Sequence, residues 1–208
     1  RSAVCSRIVC SRYQTPEAAE MARYYRVDKP NLNEIKPVIY PGYQTPVLLN
    51  SKGDRAEIES RFWGFVLNLP GKRDPSQLVA KVLQNAVSET VHEKRTFSKS
   101  WEAGRRCILP ALTFFEPVDG EFRSIHDPDR TIMSIAGIWA EQTYKDKKIH
   151  ACTMLTTEPN EWMSEYHDRM PVILHPDDIA EWLSPDTAPD QAYKLCRPWN
   201  GHLAFIDL

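Results

Sequence analysis

Four stretches of this 208-residue chain carry side chains able to do chemistry, and they lie far apart. Cys10-Ser11-Arg12-Tyr13 brings a thiol, a nucleophile once deprotonated. Asn85-Ala86-Val87-Ser88-Glu89-Thr90, soon followed by Glu93-Lys94, brings an amide that can both donate and accept hydrogen bonds. Arg105-Arg106-Cys107-Ile108-Leu109-Pro110-Ala111 runs into Phe114-Phe115-Glu116, a carboxyl behind two aromatics. An apolar setting there would raise its pKa towards acid–base use. Leu155-Thr156-Thr157-Glu158 is followed by His167-Asp168-Arg169-Met170-Pro171-Val172-Ile173-Leu174, with an imidazole that titrates near neutrality. Taken singly, each has an ordinary reading as well. Cys10 is a cysteine near a terminus, Asn85 and Glu116 suit caps or structural hydrogen bonds, and His167 suits a local pairing with Asp168 or a backbone group.

In this order and spacing the four stretches resemble the SOS-response-associated peptidase family. Its pattern is an initiator Met-Cys-Gly-Arg, an Asn-Ala-Arg-x-Glu-Thr box, Arg-Arg-Cys-Leu-x-Pro-Ala leading to a Glu, and a His-Asp-Arg-Met-Pro box. The resemblance covers about residues 9 to 184. It implies covalent capture of abasic sites in single-stranded DNA by an amino-terminal cysteine, whose amine forms a Schiff base with the sugar aldehyde before its sulfur closes a thiazolidine. It further implies catalytic roles for four residues. Cys10 is the nucleophile, Asn85 orients the cysteine or sugar, Glu116 is the acid–base, and His167 shuttles a proton as the sugar ring opens. Arg12 and Arg169 would hold phosphates, Lys99 would add a basic contact, and Trp63, with Tyr43 or Phe65, would offer a stacking face to bases. No cofactor and no metal is implied, the partner is single-stranded DNA with abasic sites, and a monomer is expected.

The chain departs from that pattern in places. Nine residues precede Cys10, and an internal cysteine has an amide nitrogen, which is not nucleophilic. Either Val9 stands for an alternative start codon and residues 1–9 are no native segment, or the Val9–Cys10 bond is cut autocatalytically. Val4-Cys5-Ser6-Arg7 echoes the start of Val9-Cys10-Ser11-Arg12, but Ile8 stands where the second copy has the aromatic Tyr13. Ser11 replaces the family glycine, Val87 and Ser98 stand at family arginine positions, and Pro117 replaces a tryptophan. Fewer phosphate contacts mean weaker binding and a flatter salt dependence. The expectation is a diverged bacterial or phage-related member that keeps the chemistry and loosens its grip on DNA. The competing readings are a peptidase acting only on its own leader and a catalytically silent DNA-binding module.

Composition sets the remaining bounds. A formal charge of -2 argues against a generic basic nucleic-acid binder, leaving only local patches such as Arg105-Arg106 and Lys94, Arg95, Lys99. Five cysteines without a CxxC pair support neither a disulfide framework nor a zinc site, and Cys107 and Cys152 read as core residues. No apolar run reaches the roughly 20 residues of a membrane span, and no secretory leader is visible, so a cytoplasmic, nucleoid-associated location is expected.

The elements that must position these residues follow from pattern. A capped helix is predicted around Glu17 to Tyr25, two strand pieces around a Tyr-Pro-Gly-Tyr turn within 36–49, and a strand over 58–67. Asp74-Pro75 is expected to open a short helix with Leu78, Val79, Val82 and Leu83 on one face. Strands are expected at 105–115, 131–140 and 148–156, and short proline-started helices at 159–165 and 176–183. This irregular interleaving predicts an α+β single domain over residues 10–208, with a mixed, largely antiparallel, open barrel-like β core flanked by short helices.

Overall fold

A computed structural model describes residues 10–32, 35–50 and 55–206, so the expectation of a leader over residues 1–9 falls outside the described residues. A short strand β1 (Tyr13–Gln14) leads to helix α1 (Ala18–Tyr25), which is capped by extended Glu17, so Pro16 precedes the helix instead of starting it. Strands β2 (Val38–Ile39) and β3 (Gln44–Asn50) flank the expected turn but pair with other strands, not with each other. The apolar run at 58–67 is two strands, β4 (Ala56–Trp63) and β5 (Phe65–Pro70), divided at Gly64. Gly64 has φ 121, and a Cβ there would lie 2.2 Å from Val82 Cγ1, so only glycine fits the break.

The helix expected after Asp74-Pro75 is a strand. Residues Leu78–Leu83 form β6, paired antiparallel with β5. Its apolar pairs fit either period, and burial decides between them: Leu78 is 67% exposed and Val79 57%, and only Val82 and Leu83 pack partly against the core, so no continuous helical stripe is buried. Asp74 caps no helix but accepts the Ser76 amide and hydroxyl at 3.0 and 2.6 Å, closing a turn.

Strand β7 (Asn85–Val87) precedes helix α2 (Ser98–Glu102). Strands β8 (Arg106–Ala111), β9 (Thr113–Val118), β10 (Glu121–His126), β11 (Met133–Tyr144) and β12 (Lys147–Thr157) follow in near-continuous succession. The chain ends through α3 (Glu161–Ser164), β13 (Met170–Pro171), β14 (Ile173–Leu174), α4 (Ile179–Leu183), α5 (Pro189–Leu195) and β15 (Ala204–Phe205).

Five strands close a ring in the order β12-β4-β3-β8-β11 and back to β12. All its pairings are antiparallel except the β12–β4 seam, where Ala151 faces Phe62 and Cys152 faces Trp63. The α+β domain with a largely antiparallel, barrel-like core is therefore the architecture adopted, and the barrel is closed. A second antiparallel sheet runs β15-β10-β9-β1-β2. Alternation along the strands sends side chains to two separate cores. One includes Val47, Leu49, Trp63, Cys107, Leu109, Cys152 and Met154 together with Tyr13 and Phe114 from the second sheet and Cys10 just before it. The other lies against helices α1, α4 and α5, around Leu48, Ile108, Ile138 and Trp182. Among the described residues no helix is long and apolar enough to cross a membrane.

Candidate active site

The ladder between β1 and β9 brings the first and third segments together. Tyr13 lies opposite Phe114, and the Phe115 amide donates to the Arg12 carbonyl at 3.1 Å. Carried outward, that antiparallel register sets Ser11 opposite Glu116 and leaves Cys10, 106 residues from Glu116 in sequence, one place further along. The Cys10 backbone N–H donates to Glu116 Oε1 at 2.6 Å, while its Sγ lies 3.6 Å from the Arg12 carbonyl. Cys10 has φ 41, an uncommon left-handed conformation for a residue with a Cβ. Neither Cys10 nor Glu116 has exposed surface.

Burial sets the protonation of both groups. It pushes the Glu116 carboxyl up to about 8; the Cys10 N–H bond offsets part of this, and the Asp168 charge adds to it. Burial also pushes the Cys10 thiol well up, and the Glu116 charge raises it further. At neutral pH the sulfur is a thiol and Glu116 is mostly a neutral acid.

His167 comes from the other side. Asn160 caps α3, accepting the Met163 amide at 2.8 Å, and the His167 amide bonds the Met163 carbonyl at 2.9 Å. Strand β13 then pairs with β12 and holds the far end of the loop. The imidazole is buried, with Nε2 3.9 Å from Glu116 Oε2. Its Nδ1 accepts the Arg169 backbone N–H at 3.0 Å and lies 3.1 Å from Asp168 Oδ1, so the local Asp168 pairing is also present. Cys10, Glu116 and His167 thus form one buried cluster. Asn85 sits on β7 opposite Met154, a member of the core around Cys10.

The family model for "SOS response associated peptidase (SRAP)" matches residues 4–207. The chain belongs to this family. It is 34% identical over 145 residues to abasic site processing protein YoaM of Bacillus subtilis, covering 66% of this chain and 62% of that relative. It is 29% identical over 188 residues to abasic site processing protein YoqW of the same organism, covering 84% and 82%. A crystal structure of a Bordetella bronchiseptica protein shares the fold at TM-score 0.77 and 24% identity, over 96% of this chain and all of that one. One from Bacteroides thetaiotaomicron does so at 0.75 and 21%, over 95% and 92%.

The residues expected to grip DNA are placed unequally. Arg12 is partly exposed two residues from Cys10, its guanidinium 4.7 Å from the Phe115 ring centre and 4.5 Å from that of Phe122. Lys99 is exposed on α2, which packs on β11. Trp63, expected as a stacking platform, has no exposed surface. Its ring stands edge-on to Tyr13 at 5.1 Å and its Nε1 donates to the Gln84 carbonyl at 3.1 Å, so it serves as a core anchor. Phe65 is buried likewise, whereas Tyr43 is exposed. Arg169, expected to hold a phosphate, instead donates to both carboxylate oxygens of Glu89 at 2.8 and 2.7 Å and to the Thr156 carbonyl at 2.8 Å. In the proposed basic patch, Arg106 is buried and caps the end of α4 through the carbonyls of Trp182, Ser184 and Thr187. Sequence reasoning missed Glu89 as a partner: it lay inside a quoted segment, but nothing in an 80-residue separation signals pairing. Among the described residues no group of three or more His, Cys, Asp or Glu could hold a metal ion.

Proposed function

We propose that this chain captures abasic sites in single-stranded DNA covalently, through Cys10 once its nitrogen is a free amine. The abasic site processing proteins among its relatives support the substrate class. The observation that carries the chemistry is that the nitrogen of Cys10, not only its sulfur, is held against the buried acid Glu116. A free α-amine titrates near 8, so amine and Glu116 are matched for proton exchange.

The steps follow from that pairing. Glu116, a neutral acid at rest, gives its proton to the ring oxygen, with His167 Nε2–H as a hydrogen-bond donor beside it, while the anomeric hydroxyl releases its own proton to solvent and the hemiacetal sugar opens to its aldehyde. Glu116, left as a carboxylate by that step, takes a proton from the Cys10 ammonium, and the amine adds to the aldehyde carbon. Glu116 then protonates the departing hydroxyl, which leaves as water, and takes back the proton of the resulting iminium to give the imine. The thiol adds across the C=N bond: sulfur bonds to carbon, its proton passes to nitrogen, and a five-membered thiazolidine closes. Because both nucleophiles belong to one residue, ring closure is intramolecular and fast.

The test is a protein starting Met-Cys10, processed to expose the amine, incubated with an abasic single-stranded oligonucleotide. A heat-stable shifted band on a denaturing gel is expected, lost with Cys10→Ala. No band from a verified amino-terminal Cys10 would refute the proposal.

A second reading is self-removal of the residues before Cys10. The same geometry favours it, because the nitrogen bonded to Glu116 is the leaving atom of the Val9–Cys10 bond. Sulfur attack on the Val9 carbonyl would give a thioester as Glu116 protonates the leaving nitrogen and takes up the thiol's proton in exchange, and water would release the leader. Mass spectrometry of the full chain should then show loss of residues 1–9, blocked by Cys10→Ala.

A further inference from the structure

Two opposed groups meet at one ring nitrogen of His167. The Arg169 backbone N–H donates to Nδ1 at 3.0 Å, while Asp168 Oδ1 lies 3.1 Å from the same atom. A neutral imidazole cannot satisfy both. If Nδ1 accepts from Arg169, the proton sits on Nε2, facing Glu116 Oε2. If Nδ1 donates to Asp168, Nε2 turns a lone pair towards Glu116. The two arrangements decide whether His167 offers Glu116 and the sugar a hydrogen-bond donor or an acceptor.

The difference between the competitors is how firmly each is held. Asp168 is 76% exposed and free to turn into solvent. Arg169 is tied at its far end by the two-oxygen fork with Glu89, and its Nη2 is also bonded to the Thr156 carbonyl on β12. An Arg–carboxylate fork fixes direction as well as distance. The pair is only partly exposed, 20% at Arg169 and 31% at Glu89; burial pushes the Glu89 carboxyl up, but the hydrogen bonds and charge of Arg169, with smaller local hydrogen bonds, outweigh it and hold the group below its ordinary range.

We propose that Glu89 is a positioning residue: through Arg169 it fixes the backbone N–H that selects the Nε2–H tautomer of His167 and aims that proton at the Cys10–Glu116 pair. This deepens the reading given above and rests on it for the role of His167. It also gives the carboxylate of the second segment a function in the reaction without contact to the reacting atoms.

The test reads the tautomer directly, in full-length protein without DNA, by long-range 1H–15N correlation of the histidine rings, with His167→Gln for assignment. Wild type should show His167 protonated on Nε2. Glu89→Ala should transfer a measurable share to Nδ1–H, and Asp168→Asn added to Glu89→Ala should restore Nε2–H. Single-turnover crosslinking should slow about 10-fold in Glu89→Ala and recover in the double variant, less than the roughly 10²–10⁴ that loss of an acid–base group itself costs. Should Glu89→Ala fail to fold, Glu89→Gln and Arg169→Lys, which each keep one hydrogen bond of the fork, should show the same shift to a smaller degree. A folded Glu89→Ala protein with an unchanged His167 tautomer overturns the proposal, as does Nδ1–H in wild type. Because the tautomer is measured without substrate, a wild type that forms no crosslink refutes the proposed function and leaves this result readable.

Discussion

Replacing Glu116 by Gln should make the protein more stable and less active, and the stability gain should appear only above acidic pH. Burial raises the Glu116 carboxyl from its ordinary 4.5 to about 8. Below about pH 4.5 the group is protonated whether the chain is folded or not, and it costs nothing. Between 4.5 and 8 the unfolded chain releases the proton while the folded chain keeps it, so native stability falls as pH rises; above 8 both are ionised and the loss is complete. At about 1.4 kcal/mol per pKa unit the full loss is roughly 5 kcal/mol, which for a chain of this size corresponds to about 10–20 °C in Tm. Gln keeps an oxygen to accept the Cys10 N–H and carries no charge to bury. Thermal unfolding of wild type and Glu116→Gln from pH 4 to 9 isolates the effect, because every other titrating group is common to both. The Tm difference should be small at pH 4, widen through neutrality and level off above pH 8. Crosslinking should fall by about 10²–10⁴, since the amide cannot exchange a proton with the amine. Parallel Tm curves across the range, or a variant less stable than wild type at pH 8, would show that the carboxyl is not held in its neutral form.

Three further outcomes test other parts of the reasoning. Val87 is 42% exposed where the family carries arginine, so Val87→Arg should add one phosphate contact and steepen the log Kd against log salt slope on single-stranded DNA by about 0.7, read by fluorescence anisotropy. A Cβ on Gly137 would lie 2.5 Å from Leu109 Cδ1 and 2.8 Å from the Thr153 carbonyl, so Gly137→Ala should cost about 1–3 kcal/mol in urea unfolding. Leu78→Ser, on the outer strand of the β5–β6 hairpin, should change stability by less than about 0.5 kcal/mol, whereas burial in a helical face would make it a costly change.

How far the sequence reveals this molecule depends on whether a feature is local. The runs that became β8, β11 and β12 are rich in buried apolar residues bounded by turns, and they read as strands directly. Leu78-Val79 and Val82-Leu83 form two doublets that satisfy a helical stripe as well as a strand, and only the exposure of the first doublet and the pairing with β5 rule out the helix. Trp63 looks like a stacking face by residue type, yet the seam pairing of Trp63 with Cys152 turns it inward against Tyr13. The meeting of Cys10 with Glu116 rests on the β1–β9 register, which no spacing encodes, so the sequence led there only through resemblance to a family. Arg169 illustrates the same limit. Beside His167 and Asp168 it resembles a phosphate ligand, but its assignment turns on Glu89, a partner 80 residues earlier.

Protonation also orders the proposed reaction. A thiolate attacking first would need the Cys10 sulfur to ionise beside Glu116, and both burial and that carboxyl oppose it. The nitrogen meets the opposite circumstances: it lies 2.6 Å from an acid whose pKa of about 8 matches that of a free α-amine, so the proton transfer between them is nearly level. Nitrogen should therefore attack first and sulfur only after the imine has formed, when carbon is electrophilic enough for a neutral thiol and the released proton has a basic nitrogen to join. Cys10→Ser with an exposed amine separates the steps. It should still form an imine with an abasic oligonucleotide, trapped by borohydride, but yield no heat-stable ring without that reductant. If the serine protein gives no borohydride-trapped adduct, sulfur acts before nitrogen, and the pairing of Cys10 with Glu116 does not set the order of the chemistry.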